Sequence, residues 1–162
     1  MKGNQQSMSH QHTYTSRLSW QGSTGVGYDD YDRTHRVVTP PADGGLVLTS
    51  DPAFRGNPAL TNPEQLLLAA ASSCQLLSFL AMAARSRLDV VSYDDDAEAV
   101  MPEDVRPVRI TRITLRPRIV MAAGADLEKA RKLVGRAHHA CYVANTVNAE
   151  IVIEPVIEHA GG

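Results

Sequence analysis

The feature that most constrains this chain is its most apolar stretch, TNPEQLLLAAASSCQLLSFLAMAARS, at residues 61–86. Asn62 suits a helix N-cap, Pro63 suits the first helical position, and Gln65 can close a variant capping box. These residues predict that a helix begins here. Because the helix is apolar on nearly all sides as far as Ala84, the pattern also predicts burial over most of its surface.

This helix is almost long enough to span a bilayer. Four polar residues interrupt its apolar surface: Ser72, Ser73, Gln75 and Ser78. No other part of the chain resembles a membrane segment. We therefore expect a helix buried in protein and no membrane partner.

The remaining pattern predicts an α+β fold with antiparallel sheets, because strands and helices do not alternate one to one. A second helix is predicted to begin after Asp126, with one apolar stripe that ends at Cys141. The predicted strands, from their alternation and turn signals, are 13–20, 28–39, 46–50, 89–101, 108–121 and 148–158.

Length and charge narrow the classes of protein to consider. The chain has 162 residues and a net charge of -2, which favours one domain and gives no reason to expect nucleic acid or an anionic membrane as a partner. We expect a frayed N-terminus at 1–12, a single domain at 13–157 and a tail at 158–162. The first residues contain no apolar run, so we expect no secretory signal and a cytoplasmic location.

Four arginines mark the predicted strand at 108–121: Arg109, Arg112, Arg116 and Arg118. They alternate only partly, and we expect them to form a solvated sheet surface that faces the acidic stretch within 89–101. A nucleic-acid patch is the alternative interpretation.

The chain contains two cysteines, Cys74 and Cys141. In a reducing cytosol a static disulfide is disfavoured, so a redox or catalytic pair becomes a candidate beside two unrelated buried thiols. A zinc site that adds His138 is a further alternative. Structural zinc usually takes closely spaced ligand pairs, and no CxxC occurs here, so His138 and His139 are more simply partners of a helix dipole. We expect neither a metal nor an organic cofactor.

Two motifs together resemble the OsmC/Ohr family of thiol-dependent peroxidases. They are NPEQLLLAAASSC, in which Glu64 precedes Cys74 by ten residues, and HHACYVAN around Cys141. The upstream segments YDDYDRTHRV and SDPAFRGNP resemble an OsmC-like branch rather than the organic hydroperoxide resistance branch, and YVAN after Cys141 departs from the latter's pattern. The resemblance extends from about Thr13 to Pro155.

The resemblance implies an intertwined homodimer, with sheets wrapped around two long central helices and shared active sites. It implies that Cys74 is the peroxidatic cysteine, that Cys141 is the resolving cysteine and that Glu64 is the site glutamate. An arginine from an early strand or loop completes the family's site. Arg33 and Arg36 both fit, and Arg33 matches the family's spacing to the glutamate more closely.

These residue types suit peroxide reduction. A thiolate attacks an O–O bond, and a guanidinium oriented by a carboxylate can lower the pKa of the cysteine. The resulting sulfenic acid condenses with a second cysteine, and a dithiol reductant, such as one of the lipoyl type, regenerates the pair. The predicted function is reduction of organic hydroperoxides by peroxiredoxin-like chemistry. The alternative is a non-catalytic OsmC-like binding or stress-related structural protein.

Glu64 cannot reach Cys74 of its own chain if the helix is continuous. At about 1.5 Å per residue, ten residues separate them by roughly 15 Å. If both belong to one site, Glu64 must come from the partner subunit.

Overall fold

The computed structural model describes residues 11–161. The predicted frayed segment 1–12 therefore lies almost wholly outside the described residues, and the predicted domain limits stay a prediction. The described chain divides between Pro63 and Glu64 into two compact units.

The first unit is built on a three-stranded antiparallel meander. Its strands are β1 (Arg17–Ser19), β2 (His35–Val38) and β3 (Leu46–Leu48), in the order β1-β2-β3. All three are shorter than the sequence pattern predicts. The prediction was wrong for residues 28–34, of which 28–31 form a turn and bend and 32–34 are irregular.

Local hydrogen bonds explain why this segment turns. The Arg33 guanidinium donates to the carbonyl oxygens of Tyr31 and Tyr28, and the Thr34 N–H donates to the Asp32 carboxylate at 2.8 Å. Such side-chain to backbone bonds compete with a strand ladder. Tyr31 and Arg33 therefore lie outside β2, which begins at His35.

Helix α1 spans Pro63–Arg85 without interruption, and helix α2 spans Leu127–Ala140. The second unit contains α2 and all of α1 except its first residue. The predicted starts are confirmed, because Pro63 is the first helical residue and Asp126 caps α2 by accepting the Lys129 N–H at 2.9 Å. The predicted apolar stripe of α2 is also confirmed, by its buried residues Ala130, Leu133, Val134 and Ala137.

Six strands complete this unit. They are β4 (Val90–Asp95), β5 (Glu98–Val100), β6 (Arg112–Leu115), β7 (Pro117–Met121), β8 (Glu150–Ile153) and β9 (Val156–His159). They form two three-stranded sheets, β4-β7-β9 and β5-β6-β8. The sequence pattern predicts three long strands in this part of the chain, and each is in fact two short strands. The two short strands of each pair belong to different sheets.

Two features account for the breaks. Pro155 lies between β8 and β9, where a residue without an N–H ends the ladder. Arg116 lies between β6 and β7, where its backbone N–H donates to the Asp95 carboxylate at 2.7 Å. Its guanidinium pairs with Glu98 at 3.0 Å and Glu154 at 3.3 Å. The bend is thus held by one arginine and three carboxylates.

The other strand arginines follow the same pattern. Arg112 pairs with Glu150 and Arg118 pairs with Glu158. The predicted solvated surface is therefore present at Arg112, Arg116 and Arg118, whereas Arg109 lies outside the strands. Of the glutamates that pair with these arginines within residues 11–161, only Glu98 belongs to the acidic stretch. The others are Glu150 in β8, Glu158 in β9 and Glu154 between these strands.

The sheets are mixed, so the prediction of antiparallel sheets was wrong for this unit. β4 with β7 and β5 with β6 pair antiparallel, whereas β6 with β8 and β7 with β9 pair parallel. The reason is α2, which crosses over between β7 and β8 and returns the chain in the direction of β6 and β7.

The core of the second unit joins α1, α2 and the β4-β7-β9 sheet. Phe79 and Ala83 of α1 pack with Val134 of α2 and with Ile119 and Met121 of β7. A smaller cluster beneath the β5-β6-β8 sheet contains Ala71, Ile113 and Leu115.

Only one stripe of α1 is buried in the chain by itself. Its buried residues recur at every fourth position: Ala71, Gln75, Phe79 and Ala83. On other faces Leu77 is 62% exposed and Leu80 is 37% exposed. The expected burial on most sides is therefore not met within one chain.

Among residues 11–161, α1 is the one helix with the length and hydropathy to cross a membrane. A core helix of a globular protein satisfies the same criteria, and Phe79 and Ala83 anchor α1 in the core described above. The expectation that it crosses no membrane stays a prediction.

Candidate active site

The two cysteines, distant in sequence, meet in the second unit. Cys74 lies in the middle of α1 and is partly buried, and Cys141 caps the C-terminus of α2 and is 1% exposed. Both are free thiols, and they lie close enough for each to shift the pKa of the other. The structure thus brings together the two residues that the sequence singled out.

The pKa values of the two thiols are shifted in opposite directions. Burial raises the pKa of Cys74, but hydrogen bonds from the Cys141 thiol, the Val143 and Tyr142 N–H groups and the Ser78 hydroxyl outweigh burial and lower it overall. Burial and the bond to Cys74 raise the pKa of Cys141 to about 11. Cys74 is therefore the thiol that ionises first, and Cys141 stays protonated.

The residues that stabilise a Cys74 thiolate were largely missed from the sequence. Ser78 follows Cys74 by four residues on α1, and that helical spacing is a signal that could have found it. The Tyr142 and Val143 donors are backbone groups, for which side-chain identity gives no signal.

A groove of about 530 Å³ lies along α1 and opens onto Cys74. We call it the Cys74 groove; its walls include Cys74, Leu77, Ser78, Met82, Arg85 and Tyr142. Most of its wall is apolar. A small organic molecule can therefore reach the Cys74 sulfur along an apolar path.

Glu64 is not part of this arrangement in its own chain. It lies in the first turn of α1, and no break separates it from Cys74. The rise of an α-helix places the two residues about 15 Å apart along the axis.

Arg33 belongs to the first unit, where its guanidinium is held without a carboxylate. It is 8% exposed, it donates to the carbonyl oxygens of Tyr31 at 2.7 Å and Tyr28 at 2.5 Å, and it lies 3.9 Å from the Tyr31 ring centroid. No ion pair involves Arg33 among residues 11–161. Arg36 is exposed. Of the two candidate arginines, Arg33 is the one in a defined environment.

The zinc alternative has no support in the geometry. In the part of the chain that the structure describes, no three His, Cys, Asp or Glu side chains lie close enough together to hold a metal ion. The ring of His138 instead lies 5.7 Å from that of His139, and burial, then the neighbouring His139, lowers the pKa of His138.

Comparison with known proteins shows to which family the chain belongs. The family model of OsmC-like proteins matches residues 56–156. The chain belongs to the OsmC-like family. The match includes both cysteines and Glu64. It begins at residue 56, so Arg33 lies before the matched region.

Relatives of known sequence or structure agree with this assignment. The uncharacterised protein YmaD of Bacillus subtilis is 27% identical over 106 residues, which are 62% of this chain and 71% of YmaD. An OsmC-like protein of unknown function from Vibrio cholerae superposes with a TM-score of 0.81 at 26% identity, covering 90% of this chain and 100% of that one.

A third comparison includes a functional name. An organic hydroperoxide resistance protein OsmC from Legionella pneumophila superposes with a TM-score of 0.67 at 18% identity, covering 91% of this chain and 97% of that one. At this identity the likeness shows the OsmC-like fold alone. The mixed α+β fold with two helices agrees with that of these structures.

Proposed function

We propose that this OsmC-like protein is a thiol-dependent peroxidase that reduces organic hydroperoxides, with Cys74 as the attacking and Cys141 as the resolving cysteine. The observation that carries the proposal is that the fold brings two free thiols together, with Cys74 on the wall of an apolar groove and Cys141 buried. The pKa of Cys74 is lowered, and that of Cys141 is raised to about 11 by burial and by its proximity to Cys74. A thiol of lowered pKa beside one that keeps its proton is the arrangement that a two-cysteine peroxidase needs.

The reaction follows from that asymmetry. The Cys74 thiolate attacks the terminal oxygen of ROOH, the O–O bond breaks, and the alkoxide leaves and takes a proton to become ROH. Cys74 is oxidised to a sulfenic acid. Cys141 then attacks the Cys74 sulfur, an S–S bond forms, and the expelled hydroxide and the Cys141 proton give water. A dithiol reductant returns both cysteines to thiols and becomes a disulfide itself.

The Cys74 groove supports the choice of substrate. Leu77, Ala81 and Met82 form much of its wall near Cys74. Apolar walls favour a substrate that buries hydrocarbon, since each buried CH₂ contributes about 0.8 kcal/mol. Hydrogen peroxide has no such group, so organic hydroperoxides should react more efficiently.

We further propose that the working protein is a homodimer with shared sites. Support comes from α1, whose Leu77 and Leu80 leave apolar surface uncovered, and from Glu64, which its own helix holds about 15 Å from Cys74. A partner subunit would cover this apolar surface and would supply its own Glu64 to the site. We propose Arg33 rather than Arg36 as the arginine of this site, because its guanidinium is buried and no ion pair with a carboxylate holds it among residues 11–161.

A steady-state assay tests the proposal. Purified protein is given dihydrolipoamide or dithiothreitol as the dithiol and either cumene hydroperoxide or hydrogen peroxide as the oxidant. We expect turnover, with a higher kcat/KM for cumene hydroperoxide than for hydrogen peroxide. Turnover should be lost in Cys74→Ser and should decrease greatly in Arg33→Lys. The exposed control Arg36→Lys should show little change in turnover. No turnover with any organic hydroperoxide would favour a non-catalytic OsmC-like binding protein instead.

A further inference from the structure

The segment after α2 is a compact turn, which we call the Cys141 turn, residues 141–147. Three backbone bonds close it: the Asn145 N–H donates to the Cys141 oxygen at 3.1 Å, and the Thr146 and Val147 N–H groups donate to the Val143 oxygen at 2.9 and 3.1 Å. The turn thus has a defined shape immediately after the buried cysteine.

One side chain ties this turn to the helix. The Asn145 side-chain amide donates two hydrogen bonds, to the His139 oxygen at 3.0 Å and to the Cys141 oxygen at 2.9 Å. The His139 oxygen is among the last carbonyls of α2, which have no partner within the helix. Asn145 is itself exposed, so it holds its place by these bonds rather than by burial.

The same turn arranges donors around both sulfurs. The Ala144 N–H donates to the Cys141 sulfur at 3.4 Å. The Val143 and Tyr142 N–H groups lie near enough to Cys74 to lower the pKa of its thiol. Tyr142 also lines the Cys74 groove. Any shift of the turn therefore moves the Cys141 sulfur and the amides that face Cys74 together.

We propose that Asn145 is a positioning residue of this site, which locks the Cys141 turn to the end of α2 and so holds Cys141 and the turn amides against Cys74. Asn145 does not touch the substrate. Its consequence for turnover rests on the proposed function, whereas its effect on the two thiols does not.

The residue offers a matched control. Asn148 is the same residue type three positions on, is exposed, and makes no side-chain hydrogen bond among the described residues. The pair Asn145→Ala and Asn148→Ala therefore separates the two bonds of Asn145 from the loss of an exposed amide. Asn145→Ser, whose hydroxyl can donate only one hydrogen bond, provides a second variant if Asn145→Ala does not fold.

The test measures Cys74 alkylation by iodoacetamide between pH 5 and 10, by mass spectrometry, on the reduced protein. We expect the midpoint to move to higher pH in Asn145→Ala, with alkylation at pH 7 about fivefold slower because one net hydrogen bond corresponds to about that factor. Asn145→Ser should be intermediate and Asn148→Ala should match wild type. After one equivalent of cumene hydroperoxide, Cys74–Cys141 disulfide formation should also slow in Asn145→Ala.

The outcomes separate this proposal from the proposed function. If wild type does not turn over hydroperoxide but the alkylation midpoint still moves in Asn145→Ala, the positioning role stands and the peroxidase function fails. If the folded Asn145 variants keep the wild-type midpoint and the wild-type rate of disulfide formation, the positioning role is overturned.

Discussion

Glu64 and Cys74 lie on one uninterrupted helix, ten residues and about 15 Å apart along its axis. No rotamer of a glutamate covers that distance. A site that uses both must therefore draw them from two chains, and each of two symmetric sites would contain Cys74 and Cys141 of one chain and Glu64 of the other.

Mixing two inactive variants tests this arrangement. Heterodimers of Cys74→Ser and Glu64→Ala should recover activity, about half that of wild type per dimer, because one of their two sites is intact. Heterodimers of Cys74→Ser and Cys141→Ser are the matched control and should not recover disulfide-linked turnover, because both cysteines of a site come from one chain. Equal behaviour of the two mixtures in verified heterodimers would refute the shared site.

The position of the two-fold axis gives a second prediction. If Glu64 of each chain faces Cys74 of the other, the two copies of α1 cross halfway between them, beside Ala70 on the Cys74 groove side. In a Cys74→Ser, Cys141→Ser background, Ala70→Cys should therefore form a disulfide-linked dimer on mild oxidation, seen on a non-reducing gel. Ala81→Cys is the control, since its copies would lie tens of ångströms apart. A cross-link through Ala81→Cys but not Ala70→Cys would contradict this packing.

The ionisation of Cys74 should follow its hydrogen-bond donors. Because Cys141 and Ser78 lower the pKa of Cys74, Cys141→Ala should move the alkylation midpoint of Cys74 upward, Ser78→Ala should move it less, and alkylation at pH 7 should slow in that order. Ser73→Ala is the control, since Ser73 lines the groove but is not among the groups whose hydrogen bonds lower the pKa of Cys74. A wild-type midpoint at or above that of an ordinary cysteine, about 8.5, would be inconsistent with a stabilised thiolate.

Tyr93 provides a test of stability. Its hydroxyl is buried and has no hydrogen-bond partner among the described residues. Burial, then the charge of Asp95, raises its pKa well above 10. Tyr93→Phe should leave the free energy of unfolding unchanged or raise it by on the order of 1 kcal/mol, because no bond is lost.

The raised pKa of Tyr93 determines whether stability rises or falls with pH. Above about pH 10 the unfolded chain loses the tyrosine proton while the folded chain keeps it, so stability falls as pH rises, and this fall should be smaller in Tyr93→Phe. Denaturant unfolding at pH 8 and pH 10.5 measures both effects. A loss of more than about 2 kcal/mol at pH 8 would mean that the hydroxyl has a partner.

The helices and the pair of cysteines could be predicted from the sequence because their signals are local. Pro63 and Asp126 mark helix starts by their own chemistry, and helical periodicity placed Cys141 on a buried side. The strands were harder, because the break at Arg116 depends on Asp95, Glu98 and Glu154, which are distant along the chain.

The environment of the site residues was the least predictable part. The guanidinium of Arg33 is held by backbone oxygens and aromatic rings rather than by a carboxylate. The pKa of Cys74 is lowered in part by the backbone N–H groups of Tyr142 and Val143. Backbone groups are present at every position, so their use depends on the fold and not on residue type.

The most direct test of the peroxidase proposal follows the two sulfurs through one reaction. Reduced protein receives one equivalent of cumene hydroperoxide without reductant, remaining thiols are alkylated, and peptides are mapped under non-reducing conditions. The account predicts one Cys74–Cys141 disulfide within a chain per hydroperoxide consumed, and a sulfenic acid confined to Cys74 in Cys141→Ser. Recovery of both cysteines as alkylated thiols, with the hydroperoxide unconsumed, would contradict it.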